Sequence, residues 1–427
     1  MTLVTASPMR TDVPRHARTT RNHRAVRAVA LSVVGVLTFV GVGLTSATAR
    51  LQGNIGTGEV TQLLGGDRPE KVADPDDPNA GKDLNILLMG SDSRGDGDVV
   101  DDGVGGMRSD TTIVLHVSAD RSRAELVSIP RDSFVQIPSC TGTGGATSAA
   151  TAGRFNSAFS LGWSVGGDVA SAAACTIKTV EALTGVYIDH YAVVDFAGFE
   201  NMVDALGGVP ICVPNDIDAP KADLKLTAGF QTLDGKDALG FARARTGVGV
   251  GDGSDTNRIG RQQQLMSAMV NEALSQSLVT DLPKLYSFLD AGTSSLTTNP
   301  ELASVPNLAG LAYSMRSLRA KDITFMTIPW VPNPADTNEV VWTEEAMAVW
   351  ANMASDDPLV PEPEAPTEPE APTDPEAPTE PEDTVEPSDE PTDSTTEPTE
   401  TTEPEPTETK SAGREAFTGA DVTAECG

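Results

Sequence analysis

The chain has 427 residues, with 62 acidic side chains against 30 Lys and Arg, and a formal net charge of −32. That balance excludes a sequence-unspecific nucleic-acid binder, which needs a basic surface. The excess is uneven: residues 1–27 hold six Arg and one acid, residues 358–409 hold 18 acids and no Lys or Arg, and residues 28–357 keep a net of −18. The ends read as non-globular, which leaves one large folded region between them.

Arg10, Arg15, Arg18, Arg21, Arg24 and Arg27 make residues 1–27 a basic start, and 22 uncharged residues follow at 28–49. As a helix that run rises ~33 Å at ~1.5 Å per residue, enough to cross a bilayer core. Flanking arginines keep the N-terminus in the cytoplasm, so the rest of the chain is expected outside the cell membrane. Ala47-Thr48-Ala49 also fits a signal-peptide cleavage site. The apolar run is long for such a peptide, and a retained single-pass anchor is expected. Residues 50–82 then read as a polar linker.

Strand patterns cover Leu84–Met89, Thr111–Val117 and Ala124–Ile129, each apolar and ended by turn residues. A helix is expected over Val169–Leu183, a strand over His190–Val194, and a helix over Phe196–Leu206 closed by Gly207-Gly208. Val209–Val213 reads as a strand. Helices follow over Asp234–Ala242, Asp255–Leu278, Leu282–Leu289, Glu301–Leu318 and Thr343–Met353, with a strand over Ile323–Ile328. The alternation predicts an α/β fold, a central mixed β-sheet sandwiched by helices, over residues 83–355. Phe155, Phe159, Trp163, Phe196, Phe199 and Phe241 are expected in its core. Residues 356–427 are expected to form a disordered acidic tail, because residues 358–409 hold 14 Pro and repelling like charges. It reads as a solvated end or a spacer across the wall.

Cys140, Cys175 and Cys212 lie in the folded region and Cys426 in the tail. No C-x-x-C pair suggests zinc, and export favours disulfides. One bridge is then available within the folded region, with Cys140–Cys175 the expected pair.

Four polar clusters sit at element ends, where α/β folds build sites. They are Gly90-Ser91-Asp92-Ser93-Arg94, Arg108-Ser109-Asp110-Thr111, Ile129-Pro130-Arg131-Asp132, and Arg243-Ala244-Arg245 with Asp255-Thr256-Asn257-Arg258-Ile259-Gly260-Arg261-Gln262. Helical spacing puts Arg258, Arg261 and Gln262 on one face. Clustered guanidiniums near a helix start bind phosphate oxygens. Asp92 and Asp110 suit one Mg²⁺, with Mn²⁺ as a substitute, since such ions take one or two carboxylates plus phosphate and water. The glycines of residues 247–253 lack the Gly-Lys-Ser/Thr of a P-loop and read as a mobile loop. Asp96, Asp98, Asp101 and Asp102 miss the EF-hand pattern and read as a solvated loop. Asn156 either orients a substrate or caps a turn.

The ordered set GSDSR, RSDTT, SIPRD, FNSAFSLG, TGVYIDHY, VDFAGFENMVDALGGV, LDGKDALGFARAR and DTNRIGRQQ closely resembles the LytR-CpsA-Psr family, in its actinobacterial type, over about residues 85–274. The resemblance implies a phosphotransferase of the cell membrane that moves a glycopolymer from a polyprenyl-diphosphate carrier to peptidoglycan. It implies that Asp110 and Asp92 bind Mg²⁺, and that Arg108, Arg131, Arg243, Arg245, Arg258 and Gln262 hold the diphosphate. Arg94 and Arg261 become further contacts, Asp132 orients Arg131, and Asp255 orients Arg258. The prenyl chain is expected in an apolar tunnel between sheet and helices. Asp110, Arg131, Arg243 and Arg245 are the expected catalytic set, with Asp110 the candidate proton acceptor. A prenyl-diphosphate pyrophosphatase and a non-catalytic, membrane-tethered binder of wall glycolipids are the competing readings.

Overall fold

The computed structural model describes residues 23–70, 82–91, 93–94, 98–99, 107–251, 253–275, 281–359, 409–421, 423 and 426. The chain divides into two units, Met1–Gly53 and Asn54–Gly427. Helix α1 (His23–Asn54) encloses the expected span at 28–49. Its stretch Leu31–Asn54 is, among the described residues, the one helix long and apolar enough to cross a membrane.

The second unit is built on an eight-stranded sheet. Its strands are β1 (Gly56–Thr57), β2 (Leu84–Ser91), β3 (Ser109–Val117), β4 (Ala124–Ile129), β5 (His190–Asp195), β6 (Leu296–Thr298), β7 (Ile323–Thr327) and β8 (Phe417–Thr418). Their order is β1-β6-β5-β2-β3-β4-β7-β8. Strands β2, β3 and β4 pair antiparallel, while β5 runs parallel to β2 and β7 parallel to β4. The sheet is therefore mixed, as the alternation predicts. Strand β4 is buried at every position, which suits a strand covered on both faces.

The helices after α1 are α2 (Thr61–Leu64), α3 (Ser157–Gly166), α4 (Val169–Thr184), α5 (Phe196–Leu206), α6 (Gly235–Arg243), α7 (Asp255–Ala273), α8 (Leu282–Ser294), α9 (Val305–Ser314) and α10 (Glu344–Ala354). Leu87, Met89, Val114, Val127 and Tyr191 form one core with apolar residues of α3, α4 and α10. Ile113, Val117, Leu126 and Phe325 form another, against Met266 and Val270 of α7. A third core joins α5, α6 and α7 to the hairpin of Val209–Val213 and Gly229–Leu233. Local chemistry sets the helix ends. The Asp195 carboxylate accepts from the Gly198 N–H at 2.7 Å to start α5, and Gly207, at φ 85°, ends it in a left-handed turn. The expected helix over Glu301–Leu318 shortens to α9, and α3 was not anticipated.

Two expected boundaries need correction. The linker at 50–82 is folded over much of its length. Gly56 and Thr57 pair with Thr297 and Thr298, and Tyr191 donates to the Gly58 carbonyl at 2.9 Å. Arg68 grips the buried Glu181 with Nε and Nη2 and also donates to the Tyr187 hydroxyl at 2.7 Å. The tail at 356–427 is anchored at both ends. Asp356 Oδ1 lies 3.0 Å from His116 Nε2 and 2.7 Å from Arg123 Nη2, and its Oδ2 accepts from the Ala119 N–H at 3.0 Å. Leu359 is buried, with its N–H donating to Glu125 at 2.9 Å.

After residues 360–408, which lie outside the described residues, β8 pairs with β7 and stacks Phe417 on Phe325 at 5.3 Å between ring centres. Gly413 donates to Gln263 at 2.8 Å, and Asn271 to Gly419 at 2.9 Å. Cys140 and Cys175 form the expected bridge. A second joins Cys212 to Cys426 across 214 positions of sequence.

His116 is fully buried between Asn85 and Asp356. Asp356→Ala leaves it and Arg123 short of an acceptor, so a loss of about 1–3 kcal/mol is expected. Urea unfolding midpoints of the two proteins measure it, and an unchanged midpoint would show the clamp to be dispensable.

Candidate active site

Strand register explains why distant clusters meet. Thr112 pairs with Ile129, so the start of β3 and the end of β4 share one sheet edge. Asp110 and Arg131 lie just outside that pair, and Arg131 Nη1 donates to Asp110 Oδ1 at 2.7 Å. Helix α7 brings its first turn to the same place. Arg258 Nη2 sits 2.5 Å from Asp255 Oδ1 and donates to the Asp110 carbonyl at 2.9 Å. Asp255 Oδ2 accepts from the Arg131 backbone N–H at 3.3 Å. Arg131 Nε lies 3.6 Å from both Asp132 Oδ2 and Asp255 Oδ1. One guanidinium is thus held among three carboxylates from three segments, a low-entropy geometry for a planar cation.

The network extends to residues that carried no distinct signal. Arg154 Nη1 is 3.4 Å from Asp132 Oδ1, and its Nε is 3.7 Å from Glu339 Oε1. Arg154 stands in the RFNSAF segment, but Glu339 arrives on a distant hairpin. Asn156 makes no side-chain cap, and its backbone N–H donates to the Arg131 carbonyl at 3.1 Å. That hydrogen bond ties α3 to the site.

Burial works to raise the Asp110 pKa, but the charges of Arg131, Arg258 and Arg245 outweigh it and hold the carboxyl below its ordinary value. Asp255 is deeper, and burial pushes it up against the same arginines. Burial works to lower Arg131, but Asp110, Asp255 and Asp132 outweigh it and raise the guanidinium. Asp110 is therefore ionised at neutral pH and already engaged by arginine, which makes it a weak proton acceptor.

Arg243 and Arg245 behave differently. With Lys221, missed in the sequence, they line a polar pocket of about 410 Å³. Among the described residues, none of these three has a carboxylate within 4.0 Å. Arg243 also stacks over the Phe196 ring at 4.6 Å and borders a second, apolar cavity of about 250 Å³. Leu88, Ile113, Val194, Phe199, Leu265 and Met266 wall that cavity between the sheet and α5, α6 and α7. Phe199 packs against the third core as expected and also walls the cavity, while Phe196, expected in the core, is a cavity wall. Gln262 borders the same cavity and donates to the Ala242 carbonyl at 3.2 Å.

Arg261 departs from its expected role as a substrate contact. It is buried, and its guanidinium donates to the carbonyls of Phe241 at 3.1 Å, Val250 at 2.9 Å, and Ala244. Helical spacing put it near Arg258, but the turn angle aims it under the loop. Burial lowers its pKa to about 10, helped by the Arg258 charge. The loop expected to be mobile is strapped along its described part. Val248 and Asp218 exchange backbone hydrogen bonds at 2.9 and 3.1 Å, and Gly249, at φ 73°, presses on the Asp216 carbonyl where a Cβ would clash.

Arg108 stands two residues before Asp110, half-buried at the head of β3. Arg94 lies in the short strand Ser93–Arg94. Asp92 lies outside the described residues, as do Asp96, Asp101 and Asp102. Among the described residues no group of three or more His, Cys, Asp or Glu could hold a metal ion. Asp110 alone, ionised and partly exposed, suits an ion that takes most of its oxygens from phosphate and water.

Two outcomes follow from this geometry. A carboxyl whose folded pKa is lowered supports the fold above its unfolded value, ~3.9, and loses that support as pH falls through the folded value. The Asp110–Arg131 pair should therefore persist through pH 5–8 and open only below ~4. Carboxyl NMR titration checks it, and an Asp110 midpoint above 5 would contradict it. Arg261→Leu strands three carbonyls and should cost about 2–4 kcal/mol. Faster proteolysis between Arg245 and Gly253 reports the loosened loop.

The LytR_cpsA_psr family model matches residues 48–355. The chain is 30% identical over 320 residues to the Corynebacterium glutamicum cell wall biosynthesis protein LcpA, covering 71% of this chain and 58% of that protein. It is 35% identical over 281 residues to the probable cell wall biosynthesis protein LcpB of the same organism, covering 63% and 60%. It thus spans about three fifths of those two relatives. It is also 30% identical over 303 residues to Bacillus subtilis TagT, a polyisoprenyl-teichoic acid–peptidoglycan teichoic acid transferase, covering 68% and 84%. The LytR-Csp2A-Psr enzyme from Actinomyces oris shares the fold at TM-score 0.52 and 19% identity, over 70% of this chain and 96% of that one. The chain belongs to the LytR-CpsA-Psr family, in its actinobacterial type.

Proposed function

We propose that the protein transfers a polyprenyl-diphosphate-linked cell wall glycopolymer to peptidoglycan and releases polyprenyl phosphate. The observation that carries this reading is the position of Arg243, which borders both the polar pocket and the apolar cavity. A ligand that joins an anion to an apolar chain fits that junction, and a prenyl diphosphate is such a ligand. The names of the curated relatives, cell wall biosynthesis proteins and a peptidoglycan transferase, support the same reading.

In the proposed reaction, a peptidoglycan hydroxyl attacks the phosphorus that bears the glycan. The phosphoanhydride bond breaks, a phosphodiester forms, and the hydroxyl proton ends on the released polyprenyl phosphate or in solvent. Arg243 and Arg245 would neutralise the diphosphate, with no carboxylate among the described residues within 4.0 Å of them. Arg131 and Arg258 would present fixed donors where negative charge develops, an arrangement that lowers the barrier without reorganisation. Asp110, with Asp92 from sequence alone, would hold Mg²⁺, which supplies charge neutralisation on phosphate oxygens when bound. The apolar cavity would take the prenyl chain. Helix α1 would anchor the chain in the cell membrane, its Arg-rich start in the cytoplasm and the folded unit outside.

The full chain in vesicles, with a lipid-linked glycopolymer, Mg²⁺ and peptidoglycan, tests the proposal. Covalent polymer on the wall is expected. Arg243→Ala and Arg131→Ala should each lower kcat/KM by about 10²–10³-fold with unchanged circular dichroism. Full transfer by folded Arg131→Ala would sink the assignment. Phosphate release without polymer on the wall would support a pyrophosphatase, and binding without turnover would support a regulator.

A further inference from the structure

A groove of about 480 Å³ opens beside the arginine network, at the end of β7. Its volume lies within the roughly 300–1,000 Å³ typical of ligand clefts. Topology fixes its place. Strands β4 and β7 are parallel neighbours, so Arg131 after β4 and Trp330 after β7 leave the sheet at the same edge. Trp330 pairs across a hairpin with Trp342, whose indole N–H donates to Ser133 Oγ at 3.1 Å. Ser133 adjoins Asp132, and Val340 of the hairpin donates to the Asp132 carbonyl at 3.1 Å. The hairpin that bears Trp330 is thus bonded directly to the segment that bears Arg131.

The lining is of mixed chemistry. Trp330 and Pro332 give flat apolar surface, Thr343 and Glu345 come from the start of α10, and Arg414 comes from the C-terminal segment. Glu345 and Arg414 are exposed, and among the described residues the Arg414 guanidinium has no carboxylate partner within 4.0 Å. Prenyl lipid would not choose a groove edged by two charged groups. Sugar rings would: their C–H faces pack on an indole, and their hydroxyls and amides bond to carboxylate and guanidinium.

We propose that this groove binds the glycan strand of the acceptor, as an oligosaccharide of N-acetylated hexosamines. The inference rests on the transferase reading and gives it an acceptor subsite. The C-terminal segment, tied down by β8 and Cys426, then supplies one wall of that subsite. A glycan lying on Trp330 would run toward Arg131, and so toward the phosphorus to be attacked.

The test uses the full chain and an N-acetylglucosamine tetramer, titrated by calorimetry without donor lipid. Saturable binding is expected, weakened about tenfold by Trp330→Ala and by Arg414→Ala, each worth about 1.4 kcal/mol. Arg414 is exposed, so its variant keeps the test valid if Trp330→Ala unfolds. In the transfer assay both variants should raise the acceptor KM and leave the donor KM unchanged. Equal tetramer affinity in wild type and both variants would overturn the proposal, as would binding of a free stem peptide in place of the tetramer. Because the titration needs no turnover, a failed transfer reaction with intact tetramer binding would count against the transferase reading and not against the groove.

Discussion

The placement of the Arg131 guanidinium among Asp110, Asp132 and Asp255 is the constraint on which the rest of the site depends. Each carboxylate comes from a different element. Removing any one leaves a largely buried cation, 17% exposed, short of a partner, which costs more than an exposed pair gains. The network therefore fixes the relative position of β3, the turn after β4, and the start of α7. Arg154 and Glu339 carry the same constraint outward to the hairpin of Trp330 and Trp342.

The arginines divide into two kinds. Arg131 and Arg258 have carboxylate partners and set geometry. Arg261 has only carbonyls and holds the loop that carries Arg245 and Val250. Arg243 and Arg245, with Lys221, have no such partner among the described residues and face a polar pocket. A paired guanidinium has most of its donors committed, whereas an unpaired one keeps a strong field for an incoming anion. Arg245 still feels the buried acids, since its charge helps to lower Asp110. The carboxylate-fixed Arg131 and Arg258 and the pocket-lining Arg245 are thus electrically coupled through Asp110.

Much of the fold was legible because its elements are locally decided. The apolar runs at Leu84–Met89 and Ala124–Ile129, and the Asp195 and Gly207 boundaries of α5, need no distant partner to be recognised. What sequence hid is non-local. Glu339 reaches Arg154 across 185 positions, and nothing in its neighbours marks it. The C-terminal return depends on Phe417 meeting Phe325 and on Cys426 meeting Cys212, after a long acidic stretch that dominates the composition. Helical spacing misleads for Arg261 because i and i+3 still differ by about 60° around the axis, enough to turn one side chain to the pocket and the other under the loop.

The net charge of −32 and a pocket lined by Arg243, Arg245 and Lys221 are compatible for a physical reason. Screening confines the effect of a solvated charge to about 8–10 Å at ordinary salt, so the net charge of a whole chain does not set the field at one pocket. Inside the fold the local excess decides. Three arginines in the network face four carboxylates, from Asp110, Asp132, Asp255 and Glu339, and that near balance lets Arg258 be buried and Arg131 largely so. Adding Arg243, Arg245 and Lys221 tips the same neighbourhood to positive at the pocket wall. In the proposed reading a diphosphate carried on a lipid tail would lie with its tail in the apolar cavity and Arg243 at the point where tail and anion part.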